Sequence, residues 1–481
     1  MAEATIAAEQ GRRPSRGGAL FVAVLGLATL AVYTLALTLP FSIVELGDKP
    51  LLSLAGLTGR TAKGIFHYLL ALGLPFLFYL EGLVACLRWR VPLSLVIGFS
   101  LLFGLALMLV YPLTAVDVFV YGAQARVLTH HGANPQVVAP AAFPDDPFLG
   151  WMAFKEATPP YGPLWTYLAA IPTLIGGEEP MRVALGMKAL SLASLMGSVL
   201  LVYAIAQRFR PGTGTAAAYL LGWNPLVLWS TAGDGHNDMV MAFFVLLAFF
   251  LLQREPSMAL SALILAGLVK YAALLLAPLF LLFLWRRHNL AFMIASVALA
   301  VGVGAIVLAP LWEGLATFGG LLGHLGNRAS MSLGSIFILA GQKLGLSGNV
   351  VALAGRDLLY GAFLGLYIFF LVSFRGTMDG LVRSAFLVTF SFLVLATFWF
   401  RFWYLLWLVP LTALLPLEEK RLRTVGLAFS GSAILLYLFT DYVWVWTGLG
   451  LVGQMAAVLT VFLPPVLVWL YPRRLPRPFW K

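Results

Sequence analysis

The sequence predicts an all-α, polytopic transmembrane protein of about 14 spans, with amphipathic helices in one large outer loop. Three observations predict it. Hydrophobic residues make up 61% of the 481-residue chain and charged residues only 11%, and the mean hydropathy is +0.92. Apolar runs of the ~20 residues that a helix needs to cross a bilayer follow one another almost without interruption. The only long soluble-looking stretch begins around Asp117, running TAVDVFVYGAQARVLTHHGANP and then TPPYGPLW before hydrophobicity resumes. A soluble fold is excluded by the first two observations.

Taken along the chain, Arg12, Arg13 and Arg16 precede an apolar run from about Ala19 to Pro40. That run exceeds a signal-peptide core and carries no convincing small-residue cleavage site, so a retained anchor is expected. The single cysteine, Cys86, lies in the next apolar run. One cysteine permits neither a disulfide within the chain nor a metal-thiolate site, and it reads as a small buried hydrophobe. The net charge of +11 does not point to nucleic acid, because nineteen of the 31 basic residues fall in short loops and terminal segments between apolar runs. Placing those clusters in the cytoplasm puts Asp117, Asp145, Asp146, Glu156, Asp234 and Asp238 outside and both termini inside. Residues 161–176 are apolar but short and follow a proline-rich turn, which predicts a surface or re-entrant helix. The next full span is expected near Met181.

Two later stretches are too short for two full spans yet have basic flanks on both sides. Residues 257–285 are expected to cross twice in short segments, with a break near Lys270 and Tyr271. Residues 383–417 repeat the pattern, with TFWFRFWY at the turn and Arg401 at its centre. Broken segments line cavities because exposed backbone cannot face lipid, so both turns are expected to open into one outward-facing cavity. Internal repeats are not evident.

The polar residues then carry the chemistry. If residues 116–129 are helical, Asp117, Tyr121, Gln124 and Leu128 share one face, while Val118, Val120 and Val127 can rest on the membrane. A carboxylate at a hydrocarbon boundary has the basicity to take a hydroxyl proton; its competing role is a helix N-cap. GANP, with Asn134, is a turn signal. In TPPYGPLW the prolines fix a rigid turn, and Tyr161 and Trp165 suit either a sugar face or the membrane interface. GDGHND offers Asp234, His236, Asn237 and Asp238 beside WNPLVLW, for sugar or phosphate contacts, a divalent metal, or a capped helix start. Lys270 and Arg401 have no acid nearby in sequence, so each needs an anion, such as a lipid phosphate, or must snorkel to the headgroups. His324 and Arg328, in HLGNRASMS, could extend that basic lining.

DVFVYGAQA, GANP, PPYGPLW, GDGHND, LVKYAALLLAP and FRFWYLLWLVPL, in this order and spacing, resemble the GT-C class of membrane glycosyltransferases. They are most similar to the bacterial polyprenol-phosphate-mannose-dependent α-1,6-mannosyltransferases, from about Tyr111 to Pro410. The resemblance implies inverting transfer of a hexose, mannose in those relatives, from a polyprenyl phosphate to an acceptor hydroxyl outside the plasma membrane. It places the base on Asp117 and the donor phosphate on Lys270, Arg401, Arg328 and His324. Tyr121, Gln124, Asn134, Tyr161, His236, Asn237, Asp238 and Tyr404 would contact the sugars. The implied organisation is N-terminal spans (1–113), an extracytoplasmic catalytic loop (114–180) and a bundle lining the donor and acceptor cavity (181–481). The implied partners are the lipid-linked donor, a glycolipid or glycan acceptor and membrane lipid, with no nucleic acid and no cofactor. Val116 and Tyr271 depart from the family pattern, which commonly has arginine and proline there, and two more spans precede Asp117 than the wider class has.

A transporter or lipid flippase would also explain the hydrophobicity, broken hairpins and buried cations. It leaves the long acidic, proline-rich outer loop unexplained and predicts internal repeats. A GT-C enzyme using another lipid-linked sugar is the nearer rival.

Overall fold

The computed structural model describes residues 16–324, 329–448 and 450–471. Among these the chain is helical, with isolated β-bridges and no strand. The protein is an all-α polytopic membrane protein, and it divides into two compact units, Met1–Asn327 and Arg328–Lys481.

The first unit contains α1 (Arg16–Tyr33), α2 (Leu74–Arg88), α3 (Leu93–Met108), α4 (Asp117–Thr129), α5 (Pro163–Gly176) and α6 (Pro180–Phe209). It continues through α7 (Gly214–Gly222), α8 (Asp238–Arg254), α9 (Ala259–Val269), α10 (Ala277–Trp285) and α11 (Leu290–Leu308). The second contains α12 (Leu333–Lys343), α13 (Gly348–Ser373), α14 (Met378–Ser391), α15 (Val409–Leu414), α16 (Lys420–Ile434) and α17 (Leu451–Leu470). Among the described residues, eight helices are long and apolar enough to cross a membrane, or nine with one bent pair. The total of about 14 expected from the sequence requires that pair to cross twice and shorter apolar segments such as Leu93–Met108, Pro256–Val269, Tyr271–Trp285 and Phe402–Leu414 to cross as well.

The helix expected around Asp117 forms, but its surroundings differ from expectation. Val118, Val120 and Val127 do not rest on the membrane: they are buried against protein, as is nearly all of α4. α5 and α6 pack against it, and the turn Pro147–Trp151 closes over it. Valines at several helical positions satisfy lipid and protein equally well, so their spacing does not say which one covers them. The expected short helix is α5, whose Trp165, Thr166, Ala169 and Thr173 are buried while Ile171, Leu174 and Ile175 are exposed.

Both broken hairpins break where charge interrupts the apolar run. α9 ends at Val269, Lys270 is extended (φ −149°, ψ 117°), and a 3-10 turn, Tyr271–Leu276, leads into α10. In the second unit, α14 runs on through a π-helical turn, Phe392–Ala396. Arg401 is extended (φ −133°, ψ 145°), and the 3-10 turn Phe402–Trp407 leads into α15. Pro278 and Pro410 sit in the first turns of α10 and α15, where a missing N–H costs no helical bond. The extended backbone before Arg401 is not left unpaired: Ser330 N–H donates to Phe398 O (2.9 Å) and Phe400 N–H to Ser330 O (3.1 Å).

Candidate functional site

Asp117 is the first helical residue of α4; the capping position is Val116, whose side chain makes no capping bond. The Asp117 side chain is 28% exposed in a neighbourhood that is otherwise buried, and its Oδ2 lies 3.6 Å from His236 Nδ1. One turn along, Tyr121 is buried, with its hydroxyl 3.5 Å from His236 Nδ1 and 3.4 Å from Asn237 Oδ1. Burial, the neighbouring Tyr161, and the charges of Asp117 and Asp238 raise the Tyr121 hydroxyl well above the ordinary phenol range. It therefore stays protonated and can donate. Gln124 Nε2, on the same face, donates to Ala157 O at 3.4 Å.

His236, Asn237 and Asp238 come from a sharp bend. Pro225–Gly233 and α8 meet at 117°, and Asp234, His236, Asn237 and Asp238 are all fully buried there. Gly235 makes the bend fit. Its φ of +76° suits glycine, and a Cβ would stand 3.1 Å from Lys188 Cγ and 3.2 Å from Val118 Cγ2. Asp234 accepts from Thr114 N–H at 3.3 Å and from the Thr114 hydroxyl, which in turn accepts from Trp229 Nε1 at 2.6 Å.

Lys270 carries a correction to the sequence reading. With no acid nearby in sequence it was expected to need an anion such as a lipid phosphate or to snorkel to the headgroups, but its ammonium donates to Asp238 Oδ1 at 2.7 Å. Asp238 stands 32 residues earlier, and the bend and the hairpin break bring the two together. Lys270 Nζ also lies 5.6 Å from the centre of the Tyr161 ring. Tyr161 meets Tyr121 edge-to-face at 5.4 Å, and Trp165 does so at 5.1 Å. TPPYGPLW thus lies directly on the Lys270 break. Gly162 N–H donates to Val269 O at 3.3 Å, and a Cβ on Gly162 would come within 2.3 Å of Leu268 O.

The rest of the outer loop is tied down by a buried acid. Asp146 accepts from Arg126 Nε (2.9 Å), His131 Nε2 (2.8 Å) and Phe148 N–H (2.9 Å). Arg126 Nη1 also donates to Gly177 O at 2.8 Å. Burial pushes the Asp146 carboxyl up, but these hydrogen bonds and the Arg126 charge outweigh it and hold the group below its ordinary value. Asn134 holds the same loop: Nδ2 donates to Leu311 O (3.0 Å), and Oδ1 accepts from Gln136 N–H (3.0 Å).

The structure therefore gathers Asp117, Tyr121, Tyr161, His236, Asn237, Asp238 and Lys270 in the first unit, with Gln124 on the same helix face and Asn134 in the adjoining loop. Arg401 and Tyr404 belong to the second unit. There the Arg401 guanidinium lies 4.8 Å from the Trp399 ring centre, and Tyr404 stacks on Trp407 at 4.8 Å. The His324 side chain and Arg328 lie outside the described residues. Among the described residues, no three His, Cys, Asp or Glu side chains gather as a metal ion would require.

A family model described as alpha-(1->6)-mannopyranosyltransferase, N-terminal domain, matches residues 21–310. The chain belongs to this family. The matched range nearly coincides with the first unit and includes every member of the gathered cluster; Arg401 and Tyr404 fall beyond it. The chain is similar to alpha-(1->6)-mannopyranosyltransferase A of Mycobacterium tuberculosis, with 32% identity over 188 residues, 38% of this chain and 35% of that protein. It is also similar to the protein of the same name from Corynebacterium glutamicum, with 27% identity over 190 residues, 38% of this chain and 37% of that protein. The matches span little more than a third of each relative's length.

Reading the mannosyltransferase-family sequence alone missed Lys188, Thr114 and Arg126. Lys188 stood out as a charge inside an apolar run, a usable signal. Thr114 and Arg126 gave no local signal, because their partners lie 120 and 20 residues away.

Proposed function

We propose that this protein is an inverting membrane mannosyltransferase that moves mannose from a polyprenyl phosphate to an acceptor hydroxyl on the outer side of the plasma membrane. The observation that carries the reading is the meeting of the part-exposed Asp117 carboxylate with the buried His236, which Tyr121 also approaches, in the same family-matched region as the Lys270–Asp238 pair. In the proposed reaction the acceptor oxygen attacks the anomeric carbon and its proton passes to Asp117. The bond from that carbon to the phosphate oxygen breaks, and the electron pair leaves with polyprenyl phosphate. A single displacement inverts the anomeric centre.

Lys270 would face the leaving phosphate. An ammonium has three donors, so it can serve Asp238 and a phosphate oxygen together. Arg401, Arg328 and His324 remain proposed helpers for that charge. Tyr121, Tyr161, His236 and Asn237 would contact the sugars, with Gln124, Asn134 and Tyr404 as further candidates, and the acceptor would be a glycolipid or growing glycan. Phosphate is already a good leaving group, so electrostatic clamping does more than acid assistance, and the reaction as proposed needs no cofactor.

The test is transfer of radiolabelled mannose from polyprenyl phosphate mannose in membranes containing the protein. Wild type is expected to label an acceptor and Asp117→Asn, at equal abundance, is not. Normal transfer by Asp117→Asn would remove the base. Transfer of another lipid-linked sugar in place of mannose would move the reading to a different donor.

A further inference from the structure

We infer that Lys188, Asp234 and Thr114 form a buried positioning network that fixes where Asp117 stands against His236. Lys188 is fully buried within the thirty-residue α6, more than two turns in from its N-terminus. A cation inside a membrane span is costly unless it is satisfied. Its ammonium donates to Val110 O, with Leu107 O at 3.5 Å. These are carbonyls at the C-terminal end of α3, where a positive charge meets the negative end of the helix dipole. Its stem lies against Gly235, the residue that follows Asp234.

Asp234 passes the connection on to Thr114, three residues before Asp117. The backbone leading into Asp117 is therefore held at Val110 by Lys188 and at Thr114 by Asp234. The other side of the pair is held from the same helix. Ser191, one turn beyond Lys188, donates its hydroxyl to His236 O at 3.1 Å. Gly235, between Asp234 and His236, is wedged between Lys188 and the Val118 side chain of α4. One helix thus holds both partners of the 3.6 Å Asp117–His236 approach. None of the three residues need touch substrate to do this.

The catalytic consequence rests on the transfer reaction proposed above, while the positional one does not. Thr114→Val keeps the side-chain shape and deletes the hydroxyl; Thr114→Ser keeps the hydroxyl. Thr114→Val is expected to lower kcat about tenfold or more, because small misplacements of a catalytic group are expensive. The KM for polyprenyl phosphate mannose should stay within about twofold, and Thr114→Ser should retain near-wild-type kcat. A merely structural role would change the amount of folded enzyme and leave kcat per folded molecule alone.

A second readout does not need activity. In the Cys86→Ala, Ala115→Cys protein, the rate of maleimide labelling at position 115 reports how firmly this segment is held. Thr114→Val should raise that rate several-fold and Thr114→Ser should not. Equal labelling in both, or wild-type kcat in Thr114→Val, overturns the network. So does an equal loss of kcat in both variants. If labelling separates the two variants while wild type transfers no mannose, the network stands and the assigned reaction falls.

Discussion

Lys270→Met removes the ammonium that lies 2.7 Å from Asp238 Oδ1 while keeping most of the apolar stem. Asp238 is fully buried and the Lys270 side chain is only 15% exposed, so little water can replace the lost partner. Removing one member of such a pair costs about 3–5 kcal/mol, because an uncompensated charge stays buried. The double variant Lys270→Met, Asp238→Leu removes both charges. It should recover most of that loss, apart from about 0.3–1 kcal/mol for the acid lost from the first turn of α8. The assay is reversible detergent-induced unfolding of the purified protein, followed by tryptophan fluorescence and arranged as a double-mutant cycle. A single variant within about 1 kcal/mol of wild type would mean that the pair is solvated and worth no more than a surface bridge. A double variant as unstable as the single would mean that the contact carries none of the loss. Either result would refute the reasoning. The double variant should also use the lipid-linked donor poorly, since restoring the fold does not restore the cation.

Asp117→Asn should lower kcat by about 10² to 10⁴, the range that positioned proton transfer contributes, with folding unchanged by thermal assay. Gly162→Ala should cost about 1–3 kcal/mol, because its Cβ meets the Leu268 carbonyl, which is backbone and cannot swing aside; a melting temperature equal to wild type would contradict this. Asp146 sits below its ordinary value, so its contribution to stability is present above the unfolded carboxyl's pKa of about 3.9 and is lost as pH falls through the depressed folded value. The stability gap between wild type and Asp146→Asn should therefore be constant from neutral pH down to about 4 and close below it, as measured by unfolding across that range. Chelation with EDTA should leave mannose transfer unchanged, and restoration of lost activity by a divalent salt would oppose that.

Local features of the sequence carried much of the fold and some of the site. In both short hairpins a charge stands where the apolar run breaks, so the extended residues Lys270 and Arg401 were legible; Lys188, inside the unbroken α6, shows that charge alone does not mark a break. The i, i+4, i+7 spacing put Asp117, Tyr121 and Gln124 on one helical face, and α4 forms over that stretch. The environment of the helix was not legible. Its valines pack under α5 and α6, and spacing records a burial preference without naming the neighbour. Partners distant in sequence were equally hidden. The bend at residues 233–238 puts Asp238 beside Lys270 and Asp234 beside Thr114, and no run of residues announces that. The Lys270 reading went astray for this reason: a missing acid in the neighbouring sequence does not mean a missing acid in space.

The buried Lys188 also bears on how the chain is made. An N-terminus-first ribosome delivers α6 to the insertion machinery before Asp234 has emerged from the exit tunnel, and a lysine within a span carries an insertion penalty of up to about 2.5–3.5 kcal/mol, the value at a helix centre. The Leu107 and Val110 carbonyls lie upstream and are already available, so the ammonium enters with two acceptors in place. The later bend then closes on the same helix through Gly235 and His236. A nascent fragment stopped before Asp234 would hold this lysine within the bilayer by those carbonyls alone, without the bend that packs against it.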